Sequence, residues 1–265
     1  MASKVAIVEL GKDAGKSLRQ AFELIGGIDD LNKRGRAVVV KPGIFDHRKK
    51  NHPTVDVVDS IIKSFNKAPK IFLAESDNYK GTGTERLRIY ERALSRKVTP
   101  FNLSEDAETR KLKIAGEKMS LSHVLFKPNA FVSVHVLRKS EMGAILKNLF
   151  GLVPVREKVV YHKRLVSVLL DIYEAVGGID LAVMDATYAY RSIATGAGSR
   201  VGYVFIGRDA VAVDAVGGAV FGFDSKKMPI VRGAMKRGLG EGDIDKIEVV
   251  GHSIEDVRER IKRAK

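Results

Sequence analysis

Residues 131–154 read FVSVHVLRKSEMGAILKNLFGLVP, which places a strand-like run, a basic turn and a second apolar run in succession. Valines alternate with other side chains from residue 132 to residue 136, the two-residue period of a β-strand. Lys147 and Asn148 lie inside the second apolar run, where an unpaired buried amide would cost about 1–3 kcal/mol. The sequence therefore predicts partners for both side chains. The alternative is that Lys147 extends to solvent and Asn148 caps a turn before Gly151.

Strands and helices alternate along the rest of the chain. The predicted strands cover residues 5–10, 37–40, 71–74, 131–137, 181–185, 203–207 and 247–250. The predicted helices cover residues 16–25, 54–65, 84–96, 162–176, 209–221, 229–237 and 253–263. This alternation predicts one α/β domain over residues 1–265, with a mainly parallel, Rossmann-like sheet and helices on both faces. A small β-rich insertion is expected around residues 98–137, including a hairpin at 110–122 that turns at Gly116.

Composition excludes several classes of protein and site. The chain has no cysteine, which rules out disulfides, thiolate metal sites, iron–sulfur clusters and cysteine nucleophiles. No apolar run is long enough to span a membrane, and the N-terminal residues lack the features of a signal peptide, so a cytoplasmic location is expected. A single glutamine and many charged residues are typical of a heat-adapted, archaeal or thermophilic protein.

The formal net charge of +14 indicates a negatively charged partner. The excess is spread along the chain rather than gathered in one tail. RNA or the ribosome is therefore one predicted partner, although a solvated basic face explains each cluster equally well. The local basic clusters lie at residues 48–50, 110–113, 138–139 and 156–164.

Polar residues follow the predicted strands, at the edge where open α/β sheets bind ligands. Lys41 follows the second strand, Glu75 the third, and Asp185 ends a later one. A long loop is then predicted at residues 187–200, containing Arg191 and a small-residue run at 195–199. Loops of that length in compact domains are usually functional or mobile, and a plain turn is the favoured interpretation of the glycines.

Metal and nucleophile signatures are weak in this sequence. No histidine cluster has metal-ligand spacing. Oxygen ligands from Glu75, Asp77, Asp185 or Asp214 would allow magnesium binding. Asp214 lies in an otherwise apolar helix, so its carboxylate is expected either to pair in the interior or to face a ligand.

Several motifs together resemble the bacterial and archaeal family called domain of unknown function 362. They are KNLFGLVP at 147–154, the following His162, the strand ending in Asp185, GRDAVAVDA at 207–215, and GLG at 238–240 before Asp243. The resemblance implies a single α/β domain of unassigned reaction, often joined in relatives to a ferredoxin-like iron–sulfur module. A chain without cysteine is expected to be a version lacking that module.

The sequence also departs from the pattern of that family. Relatives commonly have Pro-Lys-x-Lys-x-His where this chain has HVLRKS at residues 135–140, so Ser140 stands at the histidine position and Arg138 keeps a basic charge. Gly43 follows Lys41-Pro42 where relatives usually have asparagine. Chemistry that depends on those two family groups is not expected to carry over.

These observations predict a protein that binds a small anionic ligand, a carboxylate or phosphate, in a cleft at the strand ends. Its predicted catalytic residues are Lys147, Asp185 and Asp214, with an aspartate serving as acid or base or holding magnesium. The predicted ligand-binding residues are Lys41, Glu75, Arg138, Asn148, His162 and Arg191. Turnover of the ligand and the oligomeric state are left open. An RNA- or ribosome-associated protein without catalysis and an oligomer scaffold are the alternatives.

Overall fold

A computed structural model describes residues 2–192 and 198–264 as alternating strands and helices. The strands are β1 (Lys4–Glu9), β2 (Val38–Pro42), β3 (Ile71–Glu75), β4 (Val98–Asn102), β5 (Thr109–Ile114), β6 (Glu117–Ser122), β7 (Ala130–Arg138), β8 (Leu181–Tyr190), β9 (Ser199–Gly207) and β10 (Glu248–Gly251). The helices are α1 (Ala14–Leu24), α2 (Val55–Ser64), α3 (Gly83–Leu87), α4 (Leu165–Ala175), α5 (Ala210–Val220), α6 (Pro229–Lys236) and α7 (Ile254–Arg263).

Eight strands of the described residues form one sheet, in the order β10-β1-β9-β8-β7-β2-β3-β4. Strand β9 runs antiparallel to β1 and β8, whereas the other neighbouring pairs are parallel. Parallel strands buried on both faces need continuous apolar runs, as in VVVKP of β2, where every residue is buried. The predicted α/β class with a mainly parallel sheet is confirmed.

Two apolar cores lie on opposite faces of the sheet. One contains buried side chains of α1 and α2, such as Leu18, Phe22 and Ile61. The other contains side chains of α4, α5, α6 and α7, such as Leu169 and Val213, together with the inner face of the β5–β6 hairpin. Helices α1, α2, α6 and α7 each bury one apolar side, as the predicted helical periodicity requires, whereas α5 is buried at every residue.

Several predicted boundaries are wrong in detail. The small β-rich insertion is confirmed as the antiparallel hairpin of β5 and β6, but it is narrower than residues 98–137, because β4 and β7 pair within the main sheet. The helix predicted over 84–96 ends as an α-helix at Leu87 and continues as a 3-10 turn, Arg88–Ala93, with a kink at the fully buried Tyr90. The helix predicted over 162–176 becomes α-helical only at Leu165, after a 3-10 turn.

The loop predicted over residues 187–200 is also shorter than expected. Strand β8 continues to Tyr190 and β9 begins at Ser199, because the two strands pair antiparallel out to Ala189 and Ser199. The remaining small residues at 195–197 lie outside the described residues. Among the described helices, none combines the length and apolar character needed to cross a bilayer.

Candidate functional site

The ends of β2, β3 and β7 open into a cavity of about 630 Å³, a size typical of small-ligand sites. The 3-10 turn Lys147–Leu152 and the start of the 3-10 turn Lys158–Arg164 complete its walls. Two glutamates line this cavity in the described part of the chain, Glu75 and Glu157, against six basic side chains. The basic side chains are Lys41, Arg86, Arg138, Lys147, Arg156 and Lys158.

A cluster of buried charges forms the floor of the cavity. Glu75 Oε2 lies 2.9 Å from Lys41 Nζ, and Glu75 Oε1 lies 3.2 Å from Arg86 Nη2. Lys158 Nζ donates to Ser76 Oγ at 2.6 Å. Burial raises the pKa of Glu75, but the charges of Lys41, Arg86 and Lys158 outweigh it and hold that pKa below its ordinary value. Three cations therefore surround one carboxylate, which leaves positive charge in excess.

The Arg86 side chain is held at the floor of the cavity, and it is not exposed on the protein surface. Its guanidinium also donates to the carbonyl oxygens of Ile44 and Ser76, and its side chain is fully buried. It comes from α3, whose first turn begins with a capping box between Thr82 and Glu85. Arg86 is not among the predicted site residues, because the charges of residues 84–96 match an exposed helix.

Asn148 joins the two central strands beneath the cavity. Its Nδ2 donates to Lys41 O at 2.9 Å and to Ser133 Oγ at 3.0 Å, while its Oδ1 accepts from Lys41 Nζ at 3.1 Å. Lys41 and Ser133 are register partners in the sheet. Both the oxygen and the nitrogen of the buried Asn148 amide are hydrogen-bonded to the protein. Because its oxygen accepts from Lys41 Nζ, Asn148 positions the Lys41 ammonium.

Lys147 differs from the other cations of the cavity. Its ammonium has no hydrogen-bond acceptor or carboxylate partner within the described residues. Burial and the nearby charge of Arg138 lower the pKa of Lys147 to about 8. The Arg138 guanidinium, in contrast, donates to Gly143 O at 3.1 Å, and burial lowers its pKa to about 10 against the opposing effect of Asp214. The Lys147 ammonium therefore has all of its donors available to a ligand, whereas each of the other cavity cations uses at least one donor on the protein.

Two glycines let the backbone approach these side chains closely. A Cβ atom on Gly151 would lie 2.6 Å from Lys41 Nζ and 3.0 Å from Glu75 Oε1. A Cβ atom on Gly43 would lie 2.1 Å from the His135 ring. A side chain at Gly151 would displace the charged floor, and one at Gly43 would displace the imidazole. Neither position therefore has room for a Cβ atom.

His135 and Lys158 were not among the predicted site residues. His135 accepts from Val136 N through Nδ1 at 2.8 Å, and burial with the charge of Arg138 holds its pKa well below the ordinary value. Its imidazole is therefore neutral at neutral pH. Burial lowers the pKa of Lys158 to about 7, although Glu75 opposes the shift. The basic cluster at residues 156–164 was the available sequence signal for Lys158.

The residues that form this cavity lie in a span that matches a known protein family. A family model described as Domain of unknown function (DUF362) matches residues 38–219, well over half of the chain. The chain belongs to this family. The searches of curated proteins and of solved structures each found no match. The matched span contains every residue that lines the cavity, which makes the cavity a feature of the DUF362 region itself.

Asp185, in the middle of β8, is buried and has partners within the protein. Its Oδ2 accepts from Thr54 N at 2.6 Å and from Thr54 Oγ1 at 2.9 Å. Its Oδ1 accepts from Thr187 N and Thr187 Oγ1 at 2.8 and 2.6 Å. Asp185 does not line the cavity described above. Its carboxylate joins β8 to the N-terminal end of α2, where a negative charge is favourable.

Asp214, in the segment GRDAVAVDA at 207–215, shapes the turn that precedes Lys147. Its two carboxylate oxygens accept from the backbone N–H groups of Ala144, Ile145 and Leu146 at 2.7–2.9 Å. Burial raises the pKa of Asp214, while these three N–H groups and Arg138 act in the opposite direction. Of the two readings left open by the sequence, the geometry matches pairing in the interior. Asp214 therefore acts on the site through residues 144–147.

The remaining predicted ligand-binding residues divide between the cavity and the outside. His162 lines the cavity at its outer edge, with its ring 5.5 Å from that of Phe150. Arg191 is exposed at the end of β8 and does not line the cavity. The structure thus brings together Lys41, Glu75, Arg138, Lys147, Asn148 and His162, and places Asp185, Asp214 and Arg191 elsewhere.

The carboxylates considered for magnesium each have protein partners. Asp77, for example, accepts from Gly83 N at 2.9 Å and from Arg156 Nε at 3.2 Å. Residues 2–192 and 198–264 contain no group of three or more His, Asp or Glu side chains arranged to hold a metal ion. Because this DUF362 chain has no cysteine, its residues do not fit the thiolate ligation of an iron–sulfur cluster.

Proposed function

We propose that this protein binds a small anion, a carboxylate or a phosphate, in the cavity at the ends of β2, β3 and β7. The observation that carries the proposal is the excess of positive charge on the cavity floor, where Lys41, Arg86 and Lys158 surround one carboxylate. Buried cations without counter-charge are costly, and an anionic ligand would supply that charge. A cytoplasmic location is part of the proposal.

Lys147 would be the principal contact to the anion. Its ammonium lines the cavity and has no acceptor within the described chain, so a ligand oxygen would satisfy its donors. Lys41 and Asn148 would act from the floor, Lys41 by its charge and Asn148 by positioning Lys41. The pKa of Lys147 is about 8 and that of Lys158 is about 7, and lysines with such pKa values can transfer protons near neutral pH. The site is therefore compatible with turnover of the ligand.

The positions of two of the four basic clusters favour a small anion over RNA. Arg138, of the cluster at 138–139, is buried and lines the cavity. Lys158, of the cluster at 156–164, is also buried and lines the same cavity. Arg164 of the same cluster pairs with Glu117. Cations enclosed in a cavity cannot follow the spaced phosphates of a nucleic-acid strand, which needs an open basic groove. RNA binding is therefore the outcome against which the proposal is tested.

The experiment compares the purified protein with two matched lysine variants. Native mass spectrometry first identifies any small molecule that co-purifies, and calorimetry then measures the binding of acetate and of methyl phosphate. Lys147→Met removes the cavity ammonium, and Lys139→Met removes the same charge from an exposed lysine on the adjacent turn. We expect Lys147→Met to lose affinity about tenfold or more, as for loss of a charged hydrogen bond, and Lys139→Met to match the original chain.

Mixed RNA is titrated in parallel at low and at moderate salt. Binding of a polyanion weakens steeply with salt because counterions are released, whereas binding of a small anion in an enclosed site responds little. Equal losses of acetate or phosphate affinity in the two lysine variants would contradict the proposed site. Tight, salt-sensitive RNA binding without any small-anion binding would support the RNA-associated alternative instead.

A further inference from the structure

The mouth of the cavity carries three exposed apolar side chains, here called the apolar mouth, beside the exposed Arg156 and Glu157. Phe45, Tyr79 and Val159 line it and are 41%, 60% and 62% exposed. Large apolar side chains gathered in one exposed patch usually mark a binding surface. Because these side chains and the floor cations line the same cavity, the apolar mouth and the charged floor form one continuous site.

The two aromatic residues of the mouth are held in place. The rings of Phe45 and Tyr79 pack edge to face with their centroids 5.6 Å apart. Lys80 Nζ lies 4.9 Å from the centre of the Tyr79 ring, and Asn78 Nδ2 donates to Phe45 O at 3.0 Å. These contacts join the segments after β2 and β3, so the aromatic pair is arranged before any ligand arrives.

The size of the cavity argues for an occupant larger than a bare anion. Its volume of about 630 Å³ is far above the roughly 30 Å³ of one water molecule in the liquid. A carboxylate or phosphate group on the floor would therefore leave the outer part unfilled. An aromatic group attached to that anion would reach Phe45 and Tyr79, where ring packing is favourable.

We propose that the ligand is an aromatic anion, with its carboxylate or phosphate on the floor near Lys147 and its ring against Phe45 and Tyr79. The inference rests on the proposed function, since it names the class of ligand for the same site. The apolar mouth then accounts for selection among anions, because the floor alone binds any small anion of suitable size.

Two pairs of probes test the inference by calorimetry: acetate with phenylacetate, and methyl phosphate with phenyl phosphate. The ring should improve affinity on the order of tenfold in the original chain. Tyr79→Ala should remove that preference, so that each ring-containing probe binds no more tightly than its ring-free partner. Tyr188→Ala is the control, since Tyr188 is an exposed tyrosine that does not line the cavity. Melting temperatures check that each variant is folded.

Each failure has a distinct pattern. Equal affinity for the two members of each pair would overturn the aromatic ligand and leave the anion site standing. Absence of binding for all four probes would overturn the anion site, and the aromatic ligand with it. A dimer that Tyr79→Ala dissociates, seen by light scattering without any ring preference, would assign the apolar mouth to a second copy of the chain and overturn the inference.

Discussion

Lys41 Nζ lies 2.9 Å from Glu75 Oε2, and each of these side chains is only 1% exposed. The pair joins β2 to β3 at the floor of the cavity, and Arg86 from α3 contacts the other oxygen of the same carboxylate. A buried ion pair does not by itself indicate stability, because desolvation of both charges offsets their attraction. Its main consequence here is that removal of the carboxylate would leave three basic groups unbalanced.

Glu75→Gln should therefore destabilise the protein strongly. The amide cannot neutralise Lys41 and Arg86, and loss of one partner of a buried pair costs about 3–5 kcal/mol. Unfolding in denaturant measures the change in the free energy of unfolding. Glu9→Gln is the control, because the ion pair of Glu9 with Arg260 is exposed and worth about 1 kcal/mol or less. Similar losses in the two variants would contradict a special role for the buried cluster.

Gly151→Ala should disturb the same cluster by space alone. The added Cβ would lie 2.6 Å from Lys41 Nζ and 2.7 Å from Lys41 Cε, so the pair or the backbone must shift. Overpacking of this kind costs about 1–3 kcal/mol, measured as a lower free energy of unfolding. Gly35→Ala is the matched control, since nothing lies within 4 Å of its Cβ position and no loss is expected. If both variants kept full stability, the close approach at Gly151 would be of no consequence.

Sequence periodicity predicted most of the fold because the central strands are continuous apolar runs. Strands β2, β3, β7 and β8 were found within a few residues of their true starts for this reason. Strand β4 was missed as part of the main sheet because VTPFN carries a proline and only partial burial. Such a strand is tolerated at the sheet edge, where β4 lies, and it shows no clear alternation.

The predicted site residues that line the cavity include those that lie near the ends of neighbouring strands, because the order of the strands alone brings such residues together. Lys41 and Arg138 lie toward the carboxyl ends of the neighbouring parallel strands β2 and β7, so topology brings both to the same edge of the sheet, where both line the cavity. Arg86 could not be predicted, because its burial depends on how α3 packs over Ile44 and Ser76. Asp214 was recognised as a buried carboxylate in an apolar helix, but the sequence does not reveal whether its partner is a ligand or a backbone N–H group.

Asp214→Asn should loosen the turn that carries Lys147. The asparagine has one acceptor oxygen instead of two, so its NH₂ group would face backbone donors at 144–146, at a cost of about 1–3 kcal/mol in unfolding free energy. We also expect weaker anion binding, since Lys147 follows directly. Asp59→Asn, which breaks only a surface pair with Lys63, is the control. Unchanged stability with lost binding would show instead that Asp214 contacts the ligand.

Anion affinity should fall as pH rises through the pKa of Lys147. Burial and Arg138 lower that pKa to about 8, so the binding ammonium is present below about pH 8 and is lost above it. Phenylacetate is the probe, because its carboxylate stays ionised from about pH 7 to about pH 9.5, on the reference pKa of carboxyl groups. Lys147→Arg should lose less affinity than the original chain over that range, because its guanidinium stays protonated while only Lys158, with a pKa of about 7, loses its proton. Parallel pH profiles in the original chain and in Lys147→Arg would show that another group controls binding.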